Sequence, residues 1–202
     1  MELDNLVRKH FRLNNEDNLP FLASPPRSNR RKHGREMLAE LLFELGCKKG
    51  VEIGTRAGGS AMIWCKYNPD MHLTCIDPWE TYMNRRFGKN RQEKYYLKAV
   101  RNLNLLNVEI IRRRSLDVID RFEDESLDFV HIDGNHEFDY CCPDIIYWSK
   151  KLKVGGIMAV HDYCTFHWNG VMKAVDAYTH CHHIDPWYVT RDNTPTAFWG
   201  KP

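Results

Sequence analysis

Short apolar stretches alternate with amphipathic stretches along most of this sequence, and that alternation limits the fold more than any other feature. Five of the apolar stretches are KKGVEIGT, HLTCID, VEIIRR, LDFVHID and GIMAVHD. Stretches that are apolar along their whole length are typical of parallel strands covered by helices on both faces. The sequence therefore predicts a doubly wound α/β domain.

The last two predicted strands differ, because no helix separates WYVTRD from TPTAFWGK. A few turn residues around Asn193 join them, which predicts an antiparallel hairpin at the edge of the sheet. Together with the five earlier strands, this hairpin gives a Rossmann-like sheet of seven strands, mostly parallel, with an antiparallel last strand and helices on both faces.

One domain accounts for most of the chain, because 202 residues suffice for a full core but not for two ordinary domains. The basic run PPRSNRRKHGRE lies near the start and begins with two prolines. Residues 1–34 are therefore predicted to form an N-terminal arm, either a lid over a site or a partly disordered segment. Residues 35–202 are predicted to form the folded domain.

The composition is that of a soluble globular protein, with 43% hydrophobic residues and a formal net charge of +2. No apolar run approaches the roughly 18 residues of a membrane span, and the first residues lack the apolar centre of a secretory signal. Seven scattered cysteines without a C-x-x-C motif are typical of reduced thiols. We therefore expect a cytoplasmic protein without a membrane partner, whose oligomeric state the sequence does not indicate.

The residues beyond the carboxyl ends of the strands carry the functional prediction, because ligands of doubly wound sheets bind there. The first strand ends in VEIGTRAGGS, whose glycines allow close backbone approach and whose following helix offers free N–H groups. Arg56 stands where the NAD(P) fingerprint needs its second glycine, which favours a single nucleoside over a dinucleotide. Asp77 follows the second strand at the spacing of an acid that binds ribose, and Trp79 is placed to cover a base.

Several of these features together resemble the class I S-adenosylmethionine-dependent methyltransferases. They are the acid inside the first glycine turn, the IDPW after the second strand and the antiparallel last strand. The most similar subgroup contains small O-methyltransferases with an Asp-Gly-x-His turn after strand four, here Asp133, Gly134, Asn135 and His136. The resemblance extends from about residue 35 to residue 202 and implies S-adenosylmethionine as the cofactor.

The resemblance also implies which residues bind the cofactor. Glu52 and Gly54 would line its methionine portion. Asp77 would contact its ribose, and Trp79 and Ser115 would lie near its adenine. The other implied cofactor-binding residues lie in the first glycine turn and at the end of strand four: Thr55, Arg56, Gly58, Gly59, Ser60 and Asp133.

A divalent metal is the second implied cofactor. In the metal-dependent members, an acid after strand four and an acidic pair after strand five hold the cation, which implies Asp133, His161 and Asp162 as ligands here. Mg²⁺ prefers oxygen ligands, whereas an imidazole at position 161 would suit Mn²⁺, Fe²⁺, Co²⁺ or Zn²⁺ better. The choice between Mg²⁺, Mn²⁺ and another ion therefore stays open.

Catalysis is assigned to two residues of the turn after strand four. Asp133 is the predicted metal ligand, and His136 is the predicted general base, because an imidazole can take up a proton near neutral pH. The alternative is structural, since an Asp and a His in such a turn can also cap a helix and bond the backbone.

The leading hypothesis is a metal-assisted O-methyltransferase acting on a small hydroxylated molecule. One alternative is a nicotinamide-dependent oxidoreductase, which the incomplete glycine fingerprint disfavours. Another is a nucleic-acid-binding module or ribose methyltransferase that uses the basic arm, to which the modest net charge gives little support. Strand four ends in IDGNH rather than in an Asn/Asp-Pro-Pro-aromatic turn, which argues against methylation of a base amino group.

Two further expectations concern the surroundings of the site. A polar loop after the second strand can close over the pocket and offers candidates for substrate contact: Tyr82, Met83, Arg85 and Arg86. On the helix after strand four, Ile146, Tyr147 and Trp148 are expected to face the sheet as core residues.

Overall fold

A single mixed sheet forms the centre of the protein in a computed structural model, which describes residues 2–11, 13, 21–23, 34–81, 89–165, 169–190 and 193–202. The helices are α1 (Glu2–Phe11), α2 (Gly34–Glu44), α3 (Gly59–Tyr67), α4 (Lys89–Leu103), α5 (Phe138–Lys151) and α6 (Gly170–Cys181), and a 3₁₀ helix spans Leu116–Arg121. The strands are β1 (Phe21–Ala23), β2 (Lys49–Ile53), β3 (His72–Ile76), β4 (Val108–Ile111), β5 (Leu127–Ile132), β6 (Leu152–Val160), β7 (Tyr188–Thr190) and β8 (Ala197–Gly200). Within these ranges, no helix is both long and apolar enough to cross a bilayer.

The strands lie side by side in the order β1-β7-β8-β6-β5-β2-β3-β4. β8 runs antiparallel to its neighbours β6 and β7, whereas the other neighbouring strands are parallel. The predicted Rossmann-like sheet is confirmed, and its seven strands correspond to β2 through β8. The β7–β8 hairpin also forms as predicted, but it does not lie at the edge, because β1 pairs with β7 and adds an eighth strand there.

The N-terminal segment contributes to the fold in its described parts. Val7 and Phe11 on α1 are buried in the core, and the hydroxyl of Tyr188 donates a hydrogen bond to Asp4 over 2.5 Å. The basic run that follows α1 favours the prediction of an arm for residues 1–34. The helical spacing of apolar residues in α1 was not recognised beside it. Most of that basic run, residues 25–33, lies outside the described residues.

Two apolar layers cover the sheet, one on each face. The first contains buried residues of α1, α2, α3 and α4, with Trp64 among the largest side chains. The second contains buried residues of α5, α6 and the 3₁₀ helix, including Trp148 and Val171. The predicted helices on both faces of the sheet are therefore present.

The prediction that three consecutive residues of α5 face the sheet was wrong for two of them. Trp148 is fully buried, whereas Ile146 and Tyr147 are 39% and 46% exposed. Consecutive helical residues point about 100° apart, so three in a row cannot share one face. The buried face follows the helical spacing of Cys141, Ile145 and Trp148 instead.

The carboxyl ends of four parallel strands meet at one rim of the sheet. Gly54 follows β2, Asp77 follows β3, Asp133 follows β5 and His161 follows β6. Because β5 lies between β2 and β6, the ends of these three strands are immediate neighbours. The topology thus brings the predicted cofactor and metal residues to the same rim.

Candidate active site

The first glycine turn holds the end of β2 against the end of β5. Gly54 has a left-handed backbone with φ of 88°, and a Cβ atom there would overlap the carbonyl oxygen of Asp133. Only glycine therefore allows the two strand ends to approach this closely. Gly58 is also left-handed and leads into the first turn of α3, which begins with Gly59 and Ser60.

Asp77 joins the loop after β3 to the glycine turn. Its carboxylate accepts hydrogen bonds from the backbone N–H of Arg56, over 2.8 Å, and of Trp79, over 2.6 Å. Burial raises the pKa of Asp77, and these two hydrogen bonds oppose that rise. The carboxylate is thus partly used to hold two loops together, and its predicted contact with a ribose stays a prediction.

Trp79 is more deeply packed than its predicted role requires. Its indole N–H donates to the carbonyl oxygen of Arg56 over 2.7 Å, and its ring lies edge-on to Tyr96 with 3% of the residue exposed. The Arg56 guanidinium lies over the neighbouring Tyr95 ring, 4.6 Å from its centre. The predicted coverage of an adenine by Trp79 stays a prediction, and little of the ring is exposed to a ligand.

Glu52 lies in the core behind the glycine turn. One of its carboxylate oxygens accepts a hydrogen bond from the Trp64 indole over 2.9 Å and lies 3.5 Å from Nδ1 of His131. Burial lowers the pKa of His131, which favours the neutral ring, and the Glu52 carboxylate opposes this effect. His131 was not among the predicted site residues, although a histidine inside an apolar strand is a visible signal of a buried polar partner.

Ser115 pairs with a buried acid that the sequence analysis missed. Its hydroxyl donates to Oδ1 of Asp144 over 2.5 Å, and Asp144 is 5% exposed on the buried face of α5. Burial raises the pKa of Asp144 to about 6, against the effect of this hydrogen bond. The two residues are 29 positions apart, so no local motif connects them.

Two acids and a histidine converge at the ends of β5 and β6. Nε2 of His136 lies 3.2 Å from Oδ2 of Asp162 and 3.6 Å from Oδ1 of Asp133. Ligand atoms of all three residues lie within 4.8 Å of one another. The two predicted catalytic residues are therefore next to each other, and Asp162 joins them from the neighbouring strand.

The amino-terminal end of α6 supports this cluster from one side. A Cβ atom at Gly170 would overlap the carbonyl oxygen of His136 and crowd the backbone nitrogen of Phe138. Asn169, just before the helix, has a left-handed backbone with φ of 62°, as does Asp162 with φ of 58°. The close approach of α6 to the turn after β5 therefore fixes the backbone that carries His136.

His161 lies between the acids and an arginine. Its Nδ1 is 3.4 Å from Oδ1 of Asp133 and 3.3 Å from Oδ1 of Asp162, and its Nε2 contacts the guanidinium of Arg35. Because an arginine N–H can only donate, this contact requires Nε2 to be an acceptor, with the ring proton on Nδ1. Burial and the Arg35 charge lower the pKa of His161, and the two carboxylates outweigh them and raise it to about 9. A pKa of about 9 favours a ring protonated on both nitrogens, whereas the contact with Arg35 needs a neutral ring with a free Nε2, so the two do not hold in the same protonation state.

The positions of His136 and His161 differ in how well each imidazole could reach a metal ion. Nδ1 of His161 lies beside both acids without a hydrogen-bond partner among the described residues, whereas Nε2 of His136 lies 3.2 Å from Asp162 and 3.6 Å from Asp133. The imidazole of His136 is therefore better placed than that of His161 to approach an ion held by the acids. Ligation by His161 stays a prediction.

The acids and His136 fit a divalent cation. Two ligands about 2.1 Å from one ion and at right angles to each other are about 3 Å apart, close to the 3.2 Å between His136 and Asp162. Burial alone would raise the pKa of Asp133, but the imidazoles of His136 and His161 lower it far below its ordinary value, so the carboxylate is ionised. Oδ1 of Asp162 is buried without a hydrogen-bond partner among the described residues, as expected of a cation ligand.

Four residues of the loop after β3 are predicted to contact the substrate. Tyr82, Met83, Arg85 and Arg86 lie outside the described residues. Arg35 is the last arginine of the basic run and the first residue of the predicted domain, and it lies at the site, 126 positions before His161.

The part of the chain that forms this rim matches a known protein family. Residues 51–163, more than half of the chain, match a family described as a methyltransferase domain. A curated relative, an uncharacterized protein of Acanthamoeba polyphaga mimivirus, is 29% identical over 62% of this chain. The chain spans 57% of that relative's length and 14% of that of a second curated relative from Sinorhizobium fredii.

Solved structures share the fold at low sequence identity. The O-methyltransferase TomG from Streptomyces achromogenes, in complex with S-adenosylmethionine, is 18% identical with a TM-score of 0.59, covering 99% of this chain and 89% of that one. An O-methyltransferase from Bacillus cereus, in complex with S-adenosylhomocysteine, is 15% identical with a TM-score of 0.61, covering 98% and 90%. At these identities the likeness concerns the fold.

Proposed function

The chain belongs to the methyltransferase-domain family that matches residues 51–163, and from this premise we propose that it is an S-adenosylmethionine-dependent O-methyltransferase acting on a small hydroxylated molecule. The observation that carries the proposal is the convergence of Asp133, His136 and Asp162 beside the glycine turn. A site for the methyl donor and a site for removing an acceptor's proton then share one rim of the sheet.

The cofactor is proposed to bind across the ends of β2, β3 and β4. The left-handed glycine turn and the start of α3 would take its methionine portion, and Asp77 its ribose. Support comes from the solved neighbours, two of which hold S-adenosylmethionine or its demethylated product. Ser115, held by Asp144, is proposed to lie at the adenine.

The chemistry asks for few groups from the protein. A lone pair of the acceptor oxygen forms the new O–CH₃ bond while the S–CH₃ bond of the sulfonium breaks, and the sulfur leaves as a neutral thioether. The acceptor's O–H proton must go to a base, and the acceptor oxygen must lie in line with the S–CH₃ bond. We propose that the residues at the ends of β5 and β6 meet both needs.

Asp133 and Asp162 are proposed to hold a divalent cation such as Mg²⁺ or Mn²⁺. When bound, such a cation would favour the deprotonated form of an acceptor hydroxyl. His161 would remain beside the two carboxylates, with its Nδ1 3.4 Å from Asp133 and 3.3 Å from Asp162. Support comes from the ionised state of Asp133 and the buried, unpartnered oxygen of Asp162.

His136 is proposed as the general base, held by its contact with Asp162. Its Nε2 would accept the proton of the acceptor hydroxyl, and the neighbouring carboxylate would stabilise the resulting imidazolium. A second arrangement, in which His136 completes the metal shell, is favoured by the same distances. The two arrangements predict different metal affinities when the imidazole is removed.

The domain division and the cellular setting are also proposals. Residues 35–202 would form the catalytic domain, with α1 and β1 of the preceding segment packed on it. All seven cysteines are free thiols, which supports a cytoplasmic location. The oxidoreductase and nucleic-acid alternatives have less support, because the family match points to methyl transfer and most of the basic run lies outside the described residues.

Calorimetric titration with S-adenosylmethionine, with NAD in a parallel cell, tests the cofactor assignment. We expect saturable binding of the first ligand alone, and binding of NAD alone would contradict the proposal. A second assay follows transfer of an isotopically labelled methyl group to a panel of hydroxylated small molecules. It is run after treatment with a chelator and again after adding Mg²⁺ or Mn²⁺, and turnover that survives chelation unchanged would refute the metal assignment.

A further inference from the structure

Arg35 places a positive charge at the rim, and none of the described residues gives it an acidic partner. It lies in the first turn of α2 and is half-buried. One guanidinium nitrogen donates to the hydroxyl oxygen of Ser60 over 2.7 Å, and another contacts Nε2 of His161. Neither partner carries a negative charge, and no carboxylate of the described residues forms an ion pair with Arg35.

A half-buried arginine that contacts no carboxylate is unusual in a folded protein. A guanidinium has five N–H donors and stays ionised, so a half-buried arginine is normally paired with an acid. Asp133 and Asp162 are close, but they lie beyond His161, which contacts them through its other nitrogen. The guanidinium therefore has both the charge and the spare donors to bind an anionic group of a ligand.

Ser60 shows where that anionic group would lie. Its hydroxyl oxygen accepts from Arg35, which leaves the hydroxyl proton free to be donated to a ligand. Ser60 is the second residue of α3, at the positive end of the helix dipole and directly after the glycine turn. A guanidinium, a hydroxyl and a helix amino terminus thus face the same small region beside Gly58 and Gly59.

We propose that Arg35 binds the carboxylate of the cofactor's methionine portion and makes the protein select for cofactors that carry it. This inference rests on the proposed function, which places the methionine portion at the glycine turn. A guanidinium and a carboxylate match in shape and form paired, charge-assisted hydrogen bonds. The carboxylate would neutralise Arg35 and accept the free proton of Ser60.

The geometry favours the cofactor over the acceptor as the source of the anionic group. Arg35 reaches Ser60 on the cofactor side of the rim, whereas the groups proposed to act on the acceptor lie on the far side of His161. An anionic acceptor bound to Arg35 would have to extend past His161 to bring its hydroxyl to His136. Binding of an anionic acceptor by Arg35 is therefore the alternative that the experiment has to exclude.

Three adenosine ligands separate the possible roles of Arg35. S-adenosylhomocysteine carries the carboxylate, its decarboxylated analogue keeps the amine but lacks the carboxylate, and 5′-methylthioadenosine lacks the whole amino-acid end. Calorimetry would measure their affinities for the wild type and for the Arg35→Gln and Arg35→Lys variants. The control is Arg101→Gln, which changes an exposed arginine on α4 far along the chain from the site.

We expect Arg35→Gln to weaken S-adenosylhomocysteine about 10- to 100-fold and to leave the other two ligands within about twofold. Arg35→Lys should recover part of the loss, because the charge is kept, and Arg101→Gln should change nothing. An equal loss for all three ligands would show that Arg35 only supports the fold. An unchanged affinity for S-adenosylhomocysteine would also overturn the inference.

The wild type gives an independent answer if Arg35→Gln does not fold. It should prefer S-adenosylhomocysteine over the decarboxylated analogue by a similar factor, and that preference should shrink in Arg35→Lys. Equal affinities in the wild type would refute the role of Arg35 while leaving the proposed function intact. Failure of the wild type to bind any of the three ligands would refute the proposed function together with this inference.

Discussion

Nε2 of His136 lies 3.2 Å from Oδ2 of Asp162, so the turn after β5 and the residue after β6 form one acid–imidazole pair. The pair forms because β5 and β6 are parallel neighbours whose carboxyl ends lie side by side. Asp133 joins it at 3.6 Å from the same nitrogen. Removing one member at a time is therefore the direct test of what the cluster does.

Asp162→Asn should abolish methyl transfer while keeping the fold. Asparagine is almost the same size and tolerates the left-handed backbone at this position, where φ is 58°. The lost negative charge weakens both the cation site and the support of His136. We expect turnover to fall by a factor on the order of 10² or more, with the affinity for S-adenosylhomocysteine within about threefold. A parallel loss of cofactor affinity would place Asp162 in the cofactor site instead.

His136→Gln separates the two tasks proposed for the imidazole. If His136 is the base, turnover near neutral pH should fall about 10²- to 10⁴-fold with metal affinity unchanged. The remaining activity should then rise with pH, because an acceptor that ionises in solution needs no base. Turnover as a function of pH and of metal concentration provides the measurement. Full rescue by excess metal would show that His136 is a ligand.

The sequence predicts the rim well, because its signals are local. Apolar runs that end in a glycine or an acid predicted β2, β3 and β5, and parallel strands must present such ends together. Gly54 and Asp133 were identified in this way, and their close contact follows from the pairing of β2 with β5. The order of the strands then decides which of these ends become neighbours.

Contacts between distant segments were not predictable in the same way. Arg35 lies in a basic run that is typical of a solvated surface, and only the packing of α2 brings it to His161. Asp144 has apolar neighbours in α5 and no sequence link to Ser115, which lies 29 positions earlier. Side-chain pairs of this kind depend on how helices rest on the sheet, which periodicity does not encode.

Asp144→Asn should raise the free energy of unfolding near neutral pH. Burial raises the pKa of Asp144 to about 6, whereas the unfolded chain has the ordinary value of 3.8. Between these values the folded state keeps a proton that the unfolded state has released, so this residue makes the protein less stable as the pH rises from about 4 to about 6. The two pKa values correspond to a cost of about 3 kcal/mol above pH 6, as an order of magnitude.

Urea denaturation at about pH 4 and about pH 7.5 provides the measurement. Asn keeps an oxygen that can accept from Ser115 and removes the ionisation, so we expect a gain at the higher pH and almost none at the lower. The control is Asp120→Asn, an exposed acid on the 3₁₀ helix, which should show no such difference. Equal effects of Asp144→Asn at both pH values would show that the fold does not raise the pKa of its carboxyl.

Two glycines of the same turn should respond differently to alanine. Gly54 has φ of 88° and no room for a Cβ beside the carbonyl of Asp133, whereas a Cβ at Gly59 would have no atom within 4 Å. The left-handed backbone alone costs an alanine about 1–2 kcal/mol, and separating β2 from β5 to relieve the overlap adds to this. We expect Gly54→Ala to lower the free energy of unfolding by more than about 2 kcal/mol and Gly59→Ala to leave it unchanged or slightly higher. Urea titrations of both variants check this, and equal stabilities would show that the end of β2 does not need the close approach to Asp133.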